Sequence, residues 1–428
     1  MGASVSMERE FVDRIFGGNV PYSGSLELTH RCNLSCRHCY QFRAREGEMG
    51  TERWISLLEE LASLGCLFIS FTGGEPLLRP DLQRLLEAAA GMDYVITLQT
   101  NGTLIDAQTA RMLGAFPTLR VDVSLYGAGA ATHDALTGVE GSFAAVRRGM
   151  ELLLEREVPL LLKVTVGAFN LVEVEDIASL ADDLGVKAIF SSLIFPRNDL
   201  DPAPTSLRLD DAGLERFIRF ETEYMLGNLA EILGAEGESL TYEDLSRYLR
   251  KCAVDPVRLE SENRRYCGAG RTVFAVNPYG DVYPCVALPL VLGSLKKDNF
   301  ARIWKDSPPI LRLREREEEL AAECEKCDLL EKCAICRALS FLEEGDTSGL
   351  SRERCRQTRA LVKVLEHEEA RRRQKDLRKA SHEGHAHQPL FLRRVPGRLA
   401  QLLFHVPLHP RRGALPLKPG SDPLPGCF

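Results

Sequence analysis

Six short runs rich in Val, Ile, Leu and Phe, at 25–30, 67–72, 94–99, 120–125, 159–167 and 187–194, alternate with stretches of helical periodicity at 51–65, 80–91, 105–115, 141–156 and 171–184. In the first of those stretches the apolar residues recur at Trp54, Leu57, Leu58, Leu61 and Leu64, the spacing of one helix face, and Thr51 stands where an N-cap is expected. Strands that are joined through helices pair in parallel, so this order implies an α/β fold of βαβ units. Chemistry in such folds gathers at the C-terminal ends of the strands.

After residue 195 the pattern changes. PRNDLDPAPTS reads as a polar, proline-bearing connection, and 209–233 and 241–251 read as helices. Cysteines crowd between Cys267 and Cys355, in a stretch too poor in apolar runs to be expected to fold without metal. A charged helix is expected over roughly 356–379, and the remainder mixes Pro, Gly, His and Arg without periodicity, which predicts a largely disordered tail. Residues 371–428 hold 12 Lys/Arg against 3 Asp/Glu, a local +9 that leaves −16 on the other 370 residues. So acidic a body argues against nucleic acid as a partner. No run approaches the roughly 20 apolar residues of a membrane span, and MGASVSMERE is too charged for a secretory signal, so a cytoplasmic protein is expected.

The 13 cysteines fall in tight groups within a long chain that shows no export signal, which reads as metal ligation by reduced thiolates rather than as disulfides. Cys32, Cys36 and Cys39 share one loop after the first strand, three and two residues apart. Three thiolates can hold three irons of a [4Fe–4S] cube and leave the fourth iron open to a bidentate small molecule. By themselves they are also compatible with an incomplete zinc site.

RCNLSCRHCY followed by FTGGEPLLRPDL resembles the radical S-adenosylmethionine (SAM) superfamily over about residues 25–195. The resemblance implies a partial (β/α)6 TIM-like barrel, residues 25–235, behind an N-terminal arm, 1–24. It implies a catalytic cluster on Cys32, Cys36 and Cys39, with SAM chelated at the open iron and cleaved by one electron to a 5′-deoxyadenosyl radical. By the same resemblance Gly73, Gly74, Glu75 and Pro76 contact the methionyl ammonium, with Glu75 as a charge-assisted acceptor. Tyr40 lies near the adenine, with His38 in the aromatic position before the third cysteine. Asn101, in Thr100-Asn101-Gly102, and Ser124 line the ribose and carboxylate. Thr137 stands where many relatives have an arginine, which leaves Arg147, Arg148 and Lys163 as candidates for the SAM carboxylate.

The order Cys267, Gly280, Cys285, Cys324, Cys327, Cys333, Cys336, Cys355 resembles the SPASM extension of the same superfamily, and NPYGDVYPC fits its hairpin. The domain plan is then a helical linker over 236–266, a SPASM domain over 267–360 and a charged helix with a basic tail over 361–428. One or two auxiliary iron–sulfur clusters are implied. Cys324, Cys327, Cys333 and Cys355 would hold the distal one, and Cys267, Cys285 and Cys336 the nearer one, with Cys252 as a fourth ligand or the position left to substrate. The family usually separates the last pair by three residues, whereas Cys333 and Cys336 are separated by two. Zinc ribbons also use paired short cysteine spacings. Cys66 reads as a core thiol, Cys427 as a tail residue, and His382, His385 and His387 as a solvated tract.

A SPASM extension implies modification of a peptide or protein side chain, by thioether formation, carbon–carbon crosslinking, epimerisation or decarboxylation. Val286 occupies the position where sulfatase maturases place a catalytic aspartate, which counts against that branch. The alternatives are a radical SAM oxidoreductase acting on a small molecule or tetrapyrrole, and a non-catalytic iron–sulfur scaffold. An external electron donor is implied. With only about 24 residues before the first strand, a separate leader-peptide recognition protein is expected as partner.

Overall fold

The computed structural model describes residues 14–233, 267–316 and 319–380. Cys252, Cys427, His382, His385, His387 and the helix expected over 241–251 lie outside these residues. The six expected strands form a parallel sheet: β1 (Ser23–Thr29), β2 (Phe68–Gly73), β3 (Val95–Thr100), β4 (Leu119–Ser124), β5 (Leu160–Thr165) and β6 (Lys187–Ser191). Five helices cover its outer face: α1 (Thr51–Ser63), α2 (Leu82–Gly91), α3 (Ala107–Leu113), α5 (Ser142–Leu154) and α6 (Val174–Asp183). A further helix, α4 (Ala130–Thr137), is absent from the sequence reading because its apolar face is short, with only His133, Leu136 and Thr137 buried. Trp54, Leu57, Leu58 and Leu61 of α1 are fully buried. Thr51 is the first helical residue and Gly50 the N-cap, because the Thr51 hydroxyl donates to Asp81 (2.6 Å) instead of closing the helix start.

Along each strand the faces alternate. Leu26, Leu28, Ile69, Phe71, Ile96, Leu98, Val121 and Val123 pack into the helical layer. Ser25, Glu27, Ser70, Thr72, Thr97, Gln99, Arg120, Asp122, Ser124 and Lys163 take the opposite face, which lines the lumen. A closed eight-stranded barrel normally fills this space with layers of branched apolar residues. Here it is lined with small and polar groups.

Beyond β6 runs α7 (Asp211–Leu233), and the chain returns at β7 (Val273–Val276), which pairs in parallel with β1 from Ser23↔Val273 to Leu26↔Val276. β8 (Asp281–Tyr283) and β9 (Gly293–Ser294) continue the sheet antiparallel, giving the order β6-β5-β4-β3-β2-β1-β7-β8-β9. The expected hairpin therefore covers the edge of β1, which would otherwise present unpaired backbone groups. Phe274, Phe300, Ile303 and Trp304 belong to the same buried cluster as the α1 face, so the cysteine-bearing segment shares the barrel's core at its first strand. The long C-terminal helix, Arg352–Ala380, packs along α7. Among the described residues no helix is long and apolar enough to cross a membrane.

Because Phe274 fills the space above Gly24, Phe274→Ala is expected to cost about 3–5 kcal/mol. The loss should lower a single unfolding transition followed by far-UV circular dichroism; a separate low-stability transition would show that the hairpin folds apart from the barrel.

Candidate functional site

The loop after β1 carries Cys32, Cys39 and Cys36, the last half-buried against Tyr126, Leu136, Ile194 and Leu207. Backbone bonds fix its course: Ser35 N–H to Thr137 O (2.9 Å), Arg37 N–H to Leu136 O (3.0 Å) and Cys39 N–H to Cys36 O (3.2 Å). The Cys32 sulfur accepts from Leu34 N–H (3.5 Å) and from the Asn101 side-chain amide (3.8 Å). Burial and the mutual repulsion of the three sulfurs push the Cys36 thiol up to about 12, and burial also raises Cys32 and Cys39. Thiols held this close, in this environment, lose their protons readily only to a metal. Among the described residues no three Cys, His, Asp or Glu side chains are set tightly enough to hold a single ion. A four-iron cube places each thiolate on its own iron and needs a wider spread than zinc, with Zn–S near about 2.3 Å.

The Gly-Gly-Glu-Pro turn at the end of β2 is sewn onto this loop. Gly74 N–H donates to Thr29 O (2.7 Å) and Glu75 N–H to Arg31 O (2.8 Å). A Cβ on Gly74 would lie 2.2 Å from Arg31 O, and one on Gly73, at φ +132°, 2.2 Å from Thr29 O. The visible reason for both glycines is thus the close approach of the turn to the cysteine loop. Glu75 is fully buried and accepts from Leu77 N–H (3.0 Å), the Thr100 hydroxyl (2.8 Å) and Asn101 N–H (2.8 Å). These bonds make Glu75 a strut between the ends of β2 and β3. Burial outweighs those bonds and raises its carboxyl to about 7. Pro76 opens the short helical turn that follows. Arg79 donates to Leu28 O (3.0 Å) and Met49 O (3.2 Å), fixing the end of β1 from below.

Asn101 reaches the cysteine loop, donating to Asn33 Oδ1 (2.9 Å) and accepting from Thr103 N–H (2.9 Å). Ser124 lies near the Tyr126 phenol, which burial raises well above its ordinary value. Tyr126 and His133 were not singled out by the sequence reading; Tyr126 packs edge-on to His38 (4.6 Å between centroids) behind the three sulfurs. Burial lowers His38 to about 4 and keeps it neutral. Thr137 is buried and shares its hydroxyl with Ser142 (2.7 Å). Of the three cationic candidates, Arg147 pairs with Glu151 along α5 and Arg148 is exposed on that helix, whereas Lys163 faces the lumen directly across from Ser124.

Among the described residues seven thiols lie beyond β6, and they fall into two groups. Cys267, Cys285 and Cys336 repel one another as thiolates, and so do Cys324, Cys327, Cys333 and Cys355. Burial raises Cys267 and Cys285 further. Cys66 is buried in the core. The segment that reads as a polar connection links the loop of Cys32, Cys36 and Cys39 to the nearer group. Asn198 donates its backbone N–H to Tyr40 O (2.8 Å) and its side-chain amide to Val286 O (3.5 Å). The Tyr40 phenol, raised by burial and by the nearby charges of Glu27, Cys39 and Cys285, lies between the two. Below it Glu27, a buried carboxylate of β1, accepts from Gln41 (2.7 Å) and meets His30 (3.2 Å). The charged residue at an inward position of SLELTH was the available signal for this cluster.

The sequence model of the radical SAM superfamily matches residues 26–184, and that of the SPASM iron–sulfur cluster-binding domain matches 267–328. The mycofactocin maturase MftC of Mycobacterium ulcerans is 30% identical over 334 residues, 76% of this chain and 85% of that protein. The AdoMet-dependent heme synthase of Methanosarcina barkeri is 29% identical over 338 residues, 77% of this chain and 94% of that protein. Among solved structures, native anSMEcpe with bound AdoMet and Cp18Cys peptide shares the fold at a TM-score of 0.62 and 20% identity, covering 82% of this chain and 97% of that one.

Glu75 makes a testable electrostatic signature. Its folded pKa lies above the usual carboxyl value, so the native state holds the proton longer, and its contribution to stability falls as pH rises from about 4.5 to about 7. Glu75→Gln should abolish that decline. The wild type should lose up to about 3 kcal/mol relative to the variant between about pH 5 and pH 8 in denaturant unfolding; parallel curves would place the carboxylate in a polar, solvated setting.

Proposed function

Because the chain belongs to the radical SAM superfamily and carries a SPASM domain behind its barrel, we propose that it cleaves SAM reductively and uses the radical to modify a peptide or protein side chain. The observation that carries the reading is the Gly-Gly-Glu turn bonded directly to a three-cysteine loop at the rim of a polar lumen. The donor set fits a [4Fe–4S] cluster, which when bound supplies the electron that cleaves SAM.

The protein's share is positioning. Cys32, Cys36 and Cys39 hold the cluster, and the backbone of Gly73, Gly74 and Pro76 shapes the wall beside it. Lys163 and Ser124, paired across β4 and β5, face the lumen where a methionyl carboxylate can be met. Tyr126, His38 and Phe169 exclude water behind the loop. The group of Cys267, Cys285 and Cys336 would hold a second cluster, and that of Cys324, Cys327, Cys333 and Cys355 a third. An external donor supplies the electron.

The peptide reading is supported by the maturase relative. A second reading, oxidation of a tetrapyrrole or other small molecule, is favoured by the match to nearly the whole length of a heme synthase. Turnover without any peptide would decide for it.

Anaerobically purified protein should carry about 8 to 12 irons per chain, as two or three four-iron clusters would give, and should form 5′-deoxyadenosine from SAM and dithionite. Cys36→Ala should abolish that cleavage, whereas Cys327→Ala should retain it while losing product. Cleavage by Cys36→Ala protein would contradict the assignment.

A further inference from the structure

The inner face of the sheet carries an arginine–aspartate pair that the reading above does not use. Arg120, on β4, grips Asp122 through Nε (2.7 Å) and Nη2 (3.4 Å), and Lys163 of β5 stands 3.9 Å from the same carboxylate. The Asp122 side chain is 3% exposed, whereas Arg120 and Lys163 are 46% and 41% exposed. Two cations therefore share one buried carboxylate and leave one positive charge open to the lumen. Glu27, a carboxylate of the same sheet face on β1, is already occupied by Gln41 and His30. Lys187, next along the sheet, is held by Asn228 (3.1 Å).

The surroundings suit a bound molecule. Arg120 lies in a cross-strand row with Thr97, Ser70 and Ser25, and Asp122 is level with Gln99. Thr97, Ser70 and Ser25 are short, half-buried side chains. A guanidinium braced by a carboxylate presents its remaining donors in a fixed orientation, the geometry that favours a planar, bidentate anion.

We propose that Arg120, braced by Asp122 and flanked by Lys163, is the anion subsite of the substrate chamber, and that the substrate presents a carboxylate to it. This rests on the reading that the lumen is where the substrate lies. Depth separates this carboxylate from that of SAM. Arg120 is four residues before Ser124 on β4, roughly 13 Å below the rim at about 3.3 Å per residue, whereas the cysteine loop and the glycine turn lie at the rim. Lys163, level with Ser124, spans both heights. The carboxylate can come from an acidic side chain, a peptide C-terminus or a carboxylated macrocycle; all three offer the same group.

The test uses iron-loaded full-length enzyme under anaerobic conditions with saturating SAM. The probes are dansyl-Gly-Gly-Glu-amide, its Gln counterpart, dansyl-Gly-Gly-Gln with a free C-terminus, and deuteroporphyrin beside its dimethyl ester. At least one free acid should bind about tenfold or more tightly than its neutral partner, in keeping with a charge-assisted pair, and the acid that does so identifies the source. Arg120→Gln should remove that preference. Asp122→Asn should weaken the preference without removing it, because the brace is lost while the guanidinium remains, and unchanged cleavage of SAM by both variants would show that they fold. Equal binding of acids and neutral partners, no binding of any acid, or a preference that appears only without SAM would each overturn the proposal. Wild-type cleavage of SAM with dithionite is read in the same samples: its absence refutes the proposed function, whereas its presence without acid preference refutes the subsite alone.

Discussion

Two backbone hydrogen bonds join the end of β2 to the loop after β1, Gly74 to Thr29 and Glu75 to Arg31, and the arrangement of the site depends on them. They bring the turn so near the cysteine loop that no side chain fits between, and they leave the Glu75 carboxylate under the rim, where it takes Thr100 and Asn101 of β3. Three strand ends are thereby fixed with respect to one another by a single buried acid. Asn101, so held, places its amide on Cys32. Precise placement of a cluster needs this kind of support from residues that never touch it.

The same economy is visible in the sheet. The hydrophobic layer that stabilises the barrel lies entirely between strands and helices, which frees the inner face for Ser, Thr, Gln and charged groups. The cost at the open edge of β1 is met by β7, which pairs in parallel and carries the hairpin toward Cys285. Cys285 is thus anchored to the strand that precedes the loop of Cys32, Cys36 and Cys39, and Asn198 completes the connection from the other side of the barrel.

Much of this is legible in the sequence, for physical reasons. Strands β1 to β6 show as Val/Ile/Leu/Phe runs because one face is buried, and α1 shows because Trp54, Leu57, Leu58 and Leu61 recur at helical spacing. The three-cysteine loop is visible because ligation demands thiolates at short separation. What is not legible depends on long-range pairing. Nothing local announces that Val273–Val276 joins Ser23–Leu26 in parallel, or that Asn198 meets both Tyr40 and Val286. The strut that Glu75 forms is not announced either, because its donors on β3 are Thr100 and Asn101. Arg147, Arg148 and Lys163 cannot be ranked until register sets Lys163 opposite Ser124.

The central claim is that the cluster on Cys32, Cys36 and Cys39 has an iron open to SAM. The electron paramagnetic resonance spectrum of dithionite-reduced protein, recorded before and after SAM is added, tests it directly. One signal should shift on adding SAM, and that signal should be missing from Cys32→Ala protein, whose other clusters remain. A spectrum indifferent to SAM, or a SAM-sensitive signal that survives in Cys32→Ala, would contradict the account.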